Sequence, residues 1–432
     1  MTKKYKPLPD NEDFVFTGLT GRVLSQSLAE NRTRLTVVDG SNTIRVLLPI
    51  NITAPQNGDI IRVTGKRRSM LGLPIVEGED LLILTKTLRT EWFSSDISHQ
   101  TLPREMQLLI NEPARQAILI RSQVTNIVRS FLKRRQYLEV ETPILLPERD
   151  IAPVSHFKTK SMASGREYFL RICPENYLKR LIVAGFSRVF EIGKNFRDES
   201  ITSKNSPEFT VMECYEAYSN YLRMAELTEE LIAEIVLTIN GSPIISMSGR
   251  NIDITPPWTR ISFNEAAREF AGIKLEELSN PEDLRGALLR IGITSPHATS
   301  RRELINLLAE QAIEPRLMNP TFLMDHPSET ICVAKRHDQN PQLIERFEGF
   351  IGGVEFAHGY SEFSDAREQR VRMQVVLDEK VQAGDEKHEL DAGFLTALEI
   401  GLPPTGGLGI GIDRIVMLLT NLPIEETVTF IA

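Results

Sequence analysis

The sequence predicts an α+β protein, a small β barrel followed by a larger domain that mixes strands with helices. Three observations predict it. Five short runs rich in β-forming residues crowd into the first hundred positions. The hydrophobic period then changes from two to about 3.6 residues. Later, two strand-like runs flank a long charged loop, and a glycine-rich strand runs straight into an apolar helix.

The barrel runs are "FTGLTGRVLS", "RTRLTVVDG", "NTIRVLLP", "DIIRVTGKRR" and "LLILTKTL", separated by Gly, Asn and Asp turns. The DG pair in "VVDGSNTIRV" is a hairpin cue. Five short strands in so few residues suit a small barrel. A linker is expected near "SSDISHQTLPREM", which gives a first domain over 1–100 and a second over 101–432. In the second, Ile120, Val124, Ile127, Val128 and Phe131 recur at helical spacing. "YLEVETPIL" reads as a strand that meets Pro143, and "PENYLKRLIVAG" and "NYLRMAELTEELIAEIVLTIN" read as helices. Residues 258–320 read as a helical insertion, after which "QLIERFEGFIGGVEFAHGYSEF" returns to strand.

At 432 residues, 41% hydrophobic and 25% charged, the chain buries a sizeable core. A net charge of −8 gives no global basic signature of nucleic-acid binding, although "GKRRS" and "KRR" are local basic patches. Three cysteines, Cys173, Cys214 and Cys332, have no CxxC spacing, which fits a reducing compartment. The N-terminus lacks an apolar signal core and no run has the ~18 apolar residues of a membrane span, so a cytoplasmic protein is expected.

The chemistry gathers in three segments. "GGLGIGIDR" has the wrong spacing for a dinucleotide loop. Its alternate glycines let a group approach the backbone closely, and a flat nucleobase is a good candidate. Arg414 would stack on such a base; an ion pair between Asp413 and Arg414 is the structural alternative. In "FEIGKNFRDESITSKNSPEFTVMECYEAY", Arg197 stands at the base of the charged loop as a fork for phosphate or carboxylate. Glu199, two residues on, shares its face if the strand continues, and Phe209 stands on the other arm. Glu348 and Glu355 have the hard oxygens that Mg2+ prefers, while Glu362 with Glu175, Glu213 and Tyr215 suits a cationic substrate.

Together these segments resemble the class II aminoacyl-tRNA synthetases, and the lysyl-tRNA synthetase family in particular, over roughly residues 10–425. "FLKRRQYLEVETPIL" resembles motif 1, the charged hairpin motif 2, and "GLPPTGGLGIGIDRIVMLLTN" motif 3; "LRICPENYLKRL" and "RFEGFIGGVEFAHGYSEFSD" mark the lysyl type. The resemblance implies an OB-fold barrel, then an antiparallel sheet flanked by helices, usually in a homodimer. It implies ATP and Mg2+, an aminoacyl-adenylate, and transfer of the acyl group to tRNA. Position by position, Arg197 would hold the α-phosphate and the substrate carboxylate. Glu199, Phe209 and Arg414 would hold adenine, and Glu348 and Glu355 the Mg2+. Glu175 would take the α-amino group, and Glu213, Tyr215 and Glu362 the ε-ammonium.

The departures from the family bear on tightness. "KNSPEF" replaces the usual "RHNPEF", so Lys204 and Asn205 would meet the outer ATP phosphates with a point charge and an amide. His358 stands where Asn is usual and Tyr360 where Phe is usual, which leaves room for a close lysine analogue as substrate. Arg34 or Leu35 replaces the barrel aromatic on which an anticodon base would stack. A lost stacking aromatic is worth about 1–3 kcal/mol per base, so weakened anticodon reading is expected. The alternative acceptor for the activated amino acid is a small molecule, peptide or protein.

Overall fold

A computed structural model describes residues 14–40, 42–70, 73–93, 101–149, 154–294, 298, 300–382 and 389–431. Most of the expected linker, 94–100, lies outside the described residues, as does the segment 1–13. The chain divides into two compact units, Met1–Glu112 and Pro113–Ala432.

The first unit is a closed barrel of β1 (Phe14–Ala29), β2 (Arg32–Asp39), β3 (Asn42–Pro49), β4 (Ile60–Met70) and β5 (Leu73–Thr85), in the order β1-β2-β3-β5-β4. Alternation drives it: Thr33, Leu35 and Val37 of β2 point inward while Arg32 and Arg34 are exposed. Val23, Val46, Leu48, Ile61 and Val63 complete the interior. The alternative left open by the sequence is thereby resolved. Leu35 belongs to the barrel core, and Arg34 takes the outward position between Ser27 of β1 and Leu47 of β3. The fifth strand starts earlier than expected, at Leu73, because its pairing with β4 carries on through irregularities at Ile60/Ile61 and Thr64/Gly65. Helix α1 (Arg104–Ile110) follows.

The second unit is built on an eight-stranded sheet. Its strands are β14 (Thr259–Ser262), β15 (Thr321–Pro327), β16 (Leu343–Ile351), β17 (Val354–Ser361), β18 (Thr405–Gly411), β11 (Glu208–Ala217), β10 (Arg188–Phe196) and β6 (Leu138–Glu139), in that spatial order. The six central strands pair antiparallel, and β14 and β6 join the two edges in parallel. The expected motif 1 strand is thus only two residues of sheet: after Val140 the Thr142 N–H turns to the Glu191 carboxylate, and Pro143 follows. Short strands β7 (Leu145–Leu146), β8 (Lys158–Lys160) and β9 (Glu167–Leu170) form a small sheet, and β12 (Ile244–Met247) pairs with β13 (Arg250–Asp253).

One face of the large sheet packs on helices α2 (Glu112–Arg134), α4 (Tyr221–Asn240) and α10 (Ile412–Thr420). Val124, Val128 and Phe131 of α2 are fully buried there, as the helical period requires. Asn220 caps α4 by accepting from the Arg223 N–H, and Gly241 ends it in the left-handed conformation. Between β14 and β15 the chain folds into α5 (Phe263–Ala271), α6 (Pro281–Arg290) and α7 (Arg301–Leu308) around a second core that reaches Leu323 and Phe350 of the sheet. Capping boxes at Ser262/Glu265 and Ser300/Glu303 start two of these helices. Helices α3 (Glu175–Val183), α8 (Ala366–Gln382), α9 (Ala392–Ile400) and α11 (Ile424–Thr427) complete the unit, and Leu178 and Ile182 of α3 pack with Phe394, Leu395 and Leu398 of α9. No helix among the described residues is long and apolar enough to cross a membrane.

Candidate active site

The site follows from strand alternation. On β11, Met212 and Cys214 face the helical core, so Phe209, Val211, Glu213 and Tyr215 face the other side and line a cavity of about 400 Å³. The register carries this across four strands. Glu213, Gly409, His358 and Glu348 are successive cross-strand partners. Tyr215, Gly407, Tyr360 and Arg346 form the next row. The glycines of β18 therefore sit between large side chains. A Cβ on Gly407 would lie 2.7 Å from Tyr215 Cε1 and closer still to Glu362 Oε1; one on Gly409 would lie 2.9 Å from His358 Nε2. The clearance expected for a nucleobase is, at these two positions, filled by the protein's own side chains.

Glu355 reaches the cavity by a different device. Simple alternation from His358 would send it toward the core. A register shift between Gly349 and Phe350 on β16 re-aims this end of β17: Phe356 enters the core and Glu355 lines the cavity with Glu348.

Three carboxylates and one ammonium gather beside α3: Glu175 and Glu213 line the cavity, and Lys179 and Glu362 are buried next to them. Lys179 Nζ lies 2.5 Å from Glu175 Oε1 and also contacts Glu362 Oε2. Tyr360 donates its hydroxyl to Glu175 Oε2 at 2.7 Å, and Tyr215 donates to Glu213 Oε2 at 3.3 Å. Burial pushes the Glu175 carboxyl up, but the Lys179 charge and hydrogen bond outweigh it and hold it below the usual carboxylate range. Burial, with the Glu175 charge added, lifts Glu213 to about 8. Burial holds Glu362 well above the usual range, only partly relieved by Lys179. Glu362 Oε1 is buried with no hydrogen-bond partner. Three acids against one ammonium leave two without a cation, so burial keeps protons on Glu213 and Glu362 until cations arrive.

Arg197 follows β10; its N–H donates to Pro207 O at 2.9 Å, which closes the hairpin loop. Its guanidinium lies 5.1 Å from the Phe209 ring, and its buried Nε has no partner. The strand stops there, however. The Glu199 N–H turns back to Arg197 O at 2.9 Å and the Glu199 side chain is exposed, so the two do not share a strand face. Lys204 and Asn205 are exposed in the same loop. Asn205 Oδ1 accepts from Arg414 at 3.0 Å, and Arg414 also donates to Glu355 O at 2.5 Å. The Asp413–Arg414 pair considered from sequence is not formed: Asp413 pairs with Arg121 and accepts from the Thr210 N–H at 2.7 Å.

Glu348 and Glu355 are the donors available to a divalent cation. Burial raises Glu348 despite Arg346 at 2.5 Å, and the Glu355 charge raises it further. Burial also opposes ionisation of Glu355, but His358, Arg414 and Arg346 outweigh it and hold this carboxyl low. Among the described residues no three His, Cys, Asp or Glu side chains form a metal cage by themselves. Two carboxylates facing one cleft suit Mg2+ that brings phosphate and water oxygens with it, so the residues fit that ion.

Four groups in or beside the site escaped the sequence reading. Lys179 stands four residues after Glu175 on a helix, a spacing that pairs Glu with Lys and could have revealed it. Arg346 shares a strand face with Glu348, two residues away. Glu314 lines the cavity from the inserted helices, its carboxyl lifted to about 7 by burial and by Glu348 and Glu355; nothing local in sequence marks it. His326 is buried beside the cavity and kept uncharged by burial and Arg346.

The chain belongs to the class II tRNA synthetases (D, K and N), whose family model matches residues 98–431. Similar proteins include the Lysine–tRNA ligase of Moorella thermoacetica, 38% identical over 86% of this chain and 78% of the relative. The Lysine–tRNA ligase of Dehalococcoides mccartyi is 39% identical over 86% of this chain and 76% of its own length. That of Parasynechococcus marenigrum is 36% identical over 98% of this chain and 88% of its own length.

Proposed function

We propose that the protein activates lysine with ATP and transfers it to tRNA. The observation that carries this reading is the acid count beside α3: Glu175, Glu213 and Glu362 against Lys179 leave two buried acids without a cation, and lysine brings two ammonium groups. The names of the similar proteins favour the same substrate and acceptor. Glu175 takes the α-amino group, and Glu213, Tyr215 and Glu362 take the ε-ammonium. His358 and Tyr360 border the substrate, and the hydroxyl of Tyr360 orients Glu175.

Catalysis is positioning and charge neutralisation. Arg197, with its free Nε, holds the substrate carboxylate against the α-phosphate, so the attack is in line and the developing negative charge is met by a fixed donor. Phe209 and Arg414 hold adenine between a ring and a guanidinium, and Glu199 reads its edge. Lys204 and Asn205 meet the outer phosphates. Glu348 and Glu355 would hold Mg2+, which when bound would supply positive charge to the phosphates. The protein acts as a homodimer in the cytoplasm. On the barrel, the outward residues of β2, Arg32 and Arg34 among them, are not aromatic, so anticodon contacts are to phosphate rather than by stacking.

The test is ATP–pyrophosphate exchange across amino acids, followed by aminoacylation of total tRNA. Exchange should be lysine-dependent and exceed that with leucine or glutamate by at least ~100-fold, because an unpaired buried acid costs several kcal/mol. Equal exchange with neutral amino acids sinks the lysine reading. Lysine exchange without tRNA charging moves the acceptor to a small molecule, peptide or protein.

A further inference from the structure

Lys179 has no task in the scheme above. It rises from α3 with a side chain only 1% exposed, contacts Glu175 and Glu362, and lies 5.7 Å from the Tyr360 ring and 5.6 Å from that of Phe394. Two carboxylates and two aromatic rings around an ammonium are also what a lysine side chain would seek from the pocket. The two oxygens of Glu362 divide the space. Neither oxygen makes a well-formed hydrogen bond, but Oε2 is in ion-pair contact with Lys179, while Oε1 turns to Gly407, which lines the cavity. Lys179 therefore engages this carboxylate at one oxygen and leaves the other for a ligand.

We propose that Lys179 is a built-in counter-cation that fixes how much positive charge the amino-acid pocket demands, and so is a specificity-determining positioning residue selecting an amino acid with two ammonium groups. The proposal rests on the lysine reading of the same site. With Lys179 present, two of the three acids lack a cation, and the two ammonium groups of lysine supply both as those acids give up their protons. Without it, three buried carboxylates face two ammonium groups and one stays unpaired. If Glu175 loses its charge while Lys179 remains, Lys179 has only Glu362 to pair with, and it competes with the substrate for that acid. Removing both charges restores the count of two. A buried ion pair with a purely structural role couples as well, but in stability: its rescue appears in thermal melting and moves the ATP KM and the lysine KM together, not the lysine KM alone.

The experiment is a double-mutant cycle of Lys179→Met and Glu175→Gln on the full chain, read as the lysine KM, ATP KM and kcat of pyrophosphate exchange, with thermal melting as a check on folding. Wild type is measured first. If it shows no lysine-dependent exchange, the functional reading fails and the proposal with it. Given that activity, each single variant should raise the lysine KM at least ~10-fold with the ATP KM nearly unchanged, since a buried charge is left unmatched. The double variant should lower the lysine KM at least ~10-fold from Glu175→Gln alone, the coupling expected of groups in contact. That last comparison stands even where Lys179→Met does not fold. A double variant no better than Glu175→Gln, or a folded Lys179→Met with the wild-type lysine KM, overturns the proposal and leaves the lysine reading intact.

Discussion

Substituting Gly407 by Ala tests whether the glycine-rich strand serves the amino-acid pocket. Gly407 lies on β18 between Tyr215 and Tyr360. The new methyl would meet Glu362 Oε1 and, at 2.7 Å, Tyr215 Cε1. Neither neighbour yields freely. The Tyr215 hydroxyl is tied to Glu213, and the Glu362 carboxylate contacts Lys179 in a side chain with no exposed surface. Overpacking of this kind costs about 1–3 kcal/mol of stability, so the variant still folds. The larger effect falls on binding, because Glu362 can make room only by turning Oε1 away from the substrate ammonium. Breaking a buried ion pair costs about 3–5 kcal/mol; because the carboxylate is displaced rather than deleted, the lower end applies. About 3 kcal/mol is roughly 100-fold in affinity. The lysine KM in pyrophosphate exchange should rise by that factor while the ATP KM stays within about threefold of wild type, as Gly407 touches no ATP-binding group. A folded Gly407→Ala enzyme with a lysine KM close to wild type would refute the assignment of Glu362 to the ε-ammonium.

Three further outcomes are expected. Arg197→Ala should abolish exchange while the melting temperature holds, because it removes the charge at the transferring phosphate; near-normal exchange would show that Arg197 is not the phosphate ligand. Lysine binding should tighten as pH rises from 6 to 8. Glu213 is lifted to about 8, so the free protein holds a proton there that the incoming ammonium must displace. The same upward shift means that the folded state binds this proton more tightly than the unfolded chain. Its stability contribution is therefore present below pH ~4.5 and is lost as pH rises toward 8. Glu213→Gln should remove this limb of the lysine KM profile, and a limb that survives would assign the titration elsewhere. Binding of tRNA should fall steeply with salt and discriminate little among anticodon variants; discrimination that persists at high salt in filter binding would mean the barrel reads bases through contacts other than stacking.

The barrel and most helices were legible because their determinants are local. Alternation in β2, the period of α2 and the Asn220 and Gly241 caps of α4 each lie within a few residues of what they specify. The long hairpin was legible for the same reason: β10 and β11 pair without a slip from Arg188↔Glu216 to Phe196↔Glu208. The misjudged details depend on where a strand stops or slips. Glu199 shares a face with Arg197 only if the strand continues, and the turn to Arg197 O ends it. The Asp413–Arg414 pair, the structural alternative to base stacking, gives way to Arg121, which is 292 residues away in sequence.

The functional set is the part least visible in local pattern, and the reason is the sheet itself. Glu213, Gly409, His358 and Glu348 become one row only through the register of four strands, three of them far apart in sequence. Glu355 joins them only through a one-residue irregularity that no periodicity foretells. Lys179 is hidden in the sequence for a different reason. A lysine four residues from a glutamate on a helix usually marks a solvated pair worth a few tenths of a kcal/mol. Here the same spacing is buried beneath Tyr360 and Phe394, and Glu362 arrives from the end of β17 to share the ammonium. The sequence contains both carboxylates and the lysine, but their net charge becomes meaningful only when the fold removes them from water. In that setting the difference between two and three unmatched acids separates a pocket that two ammonium groups satisfy from one that must keep a proton.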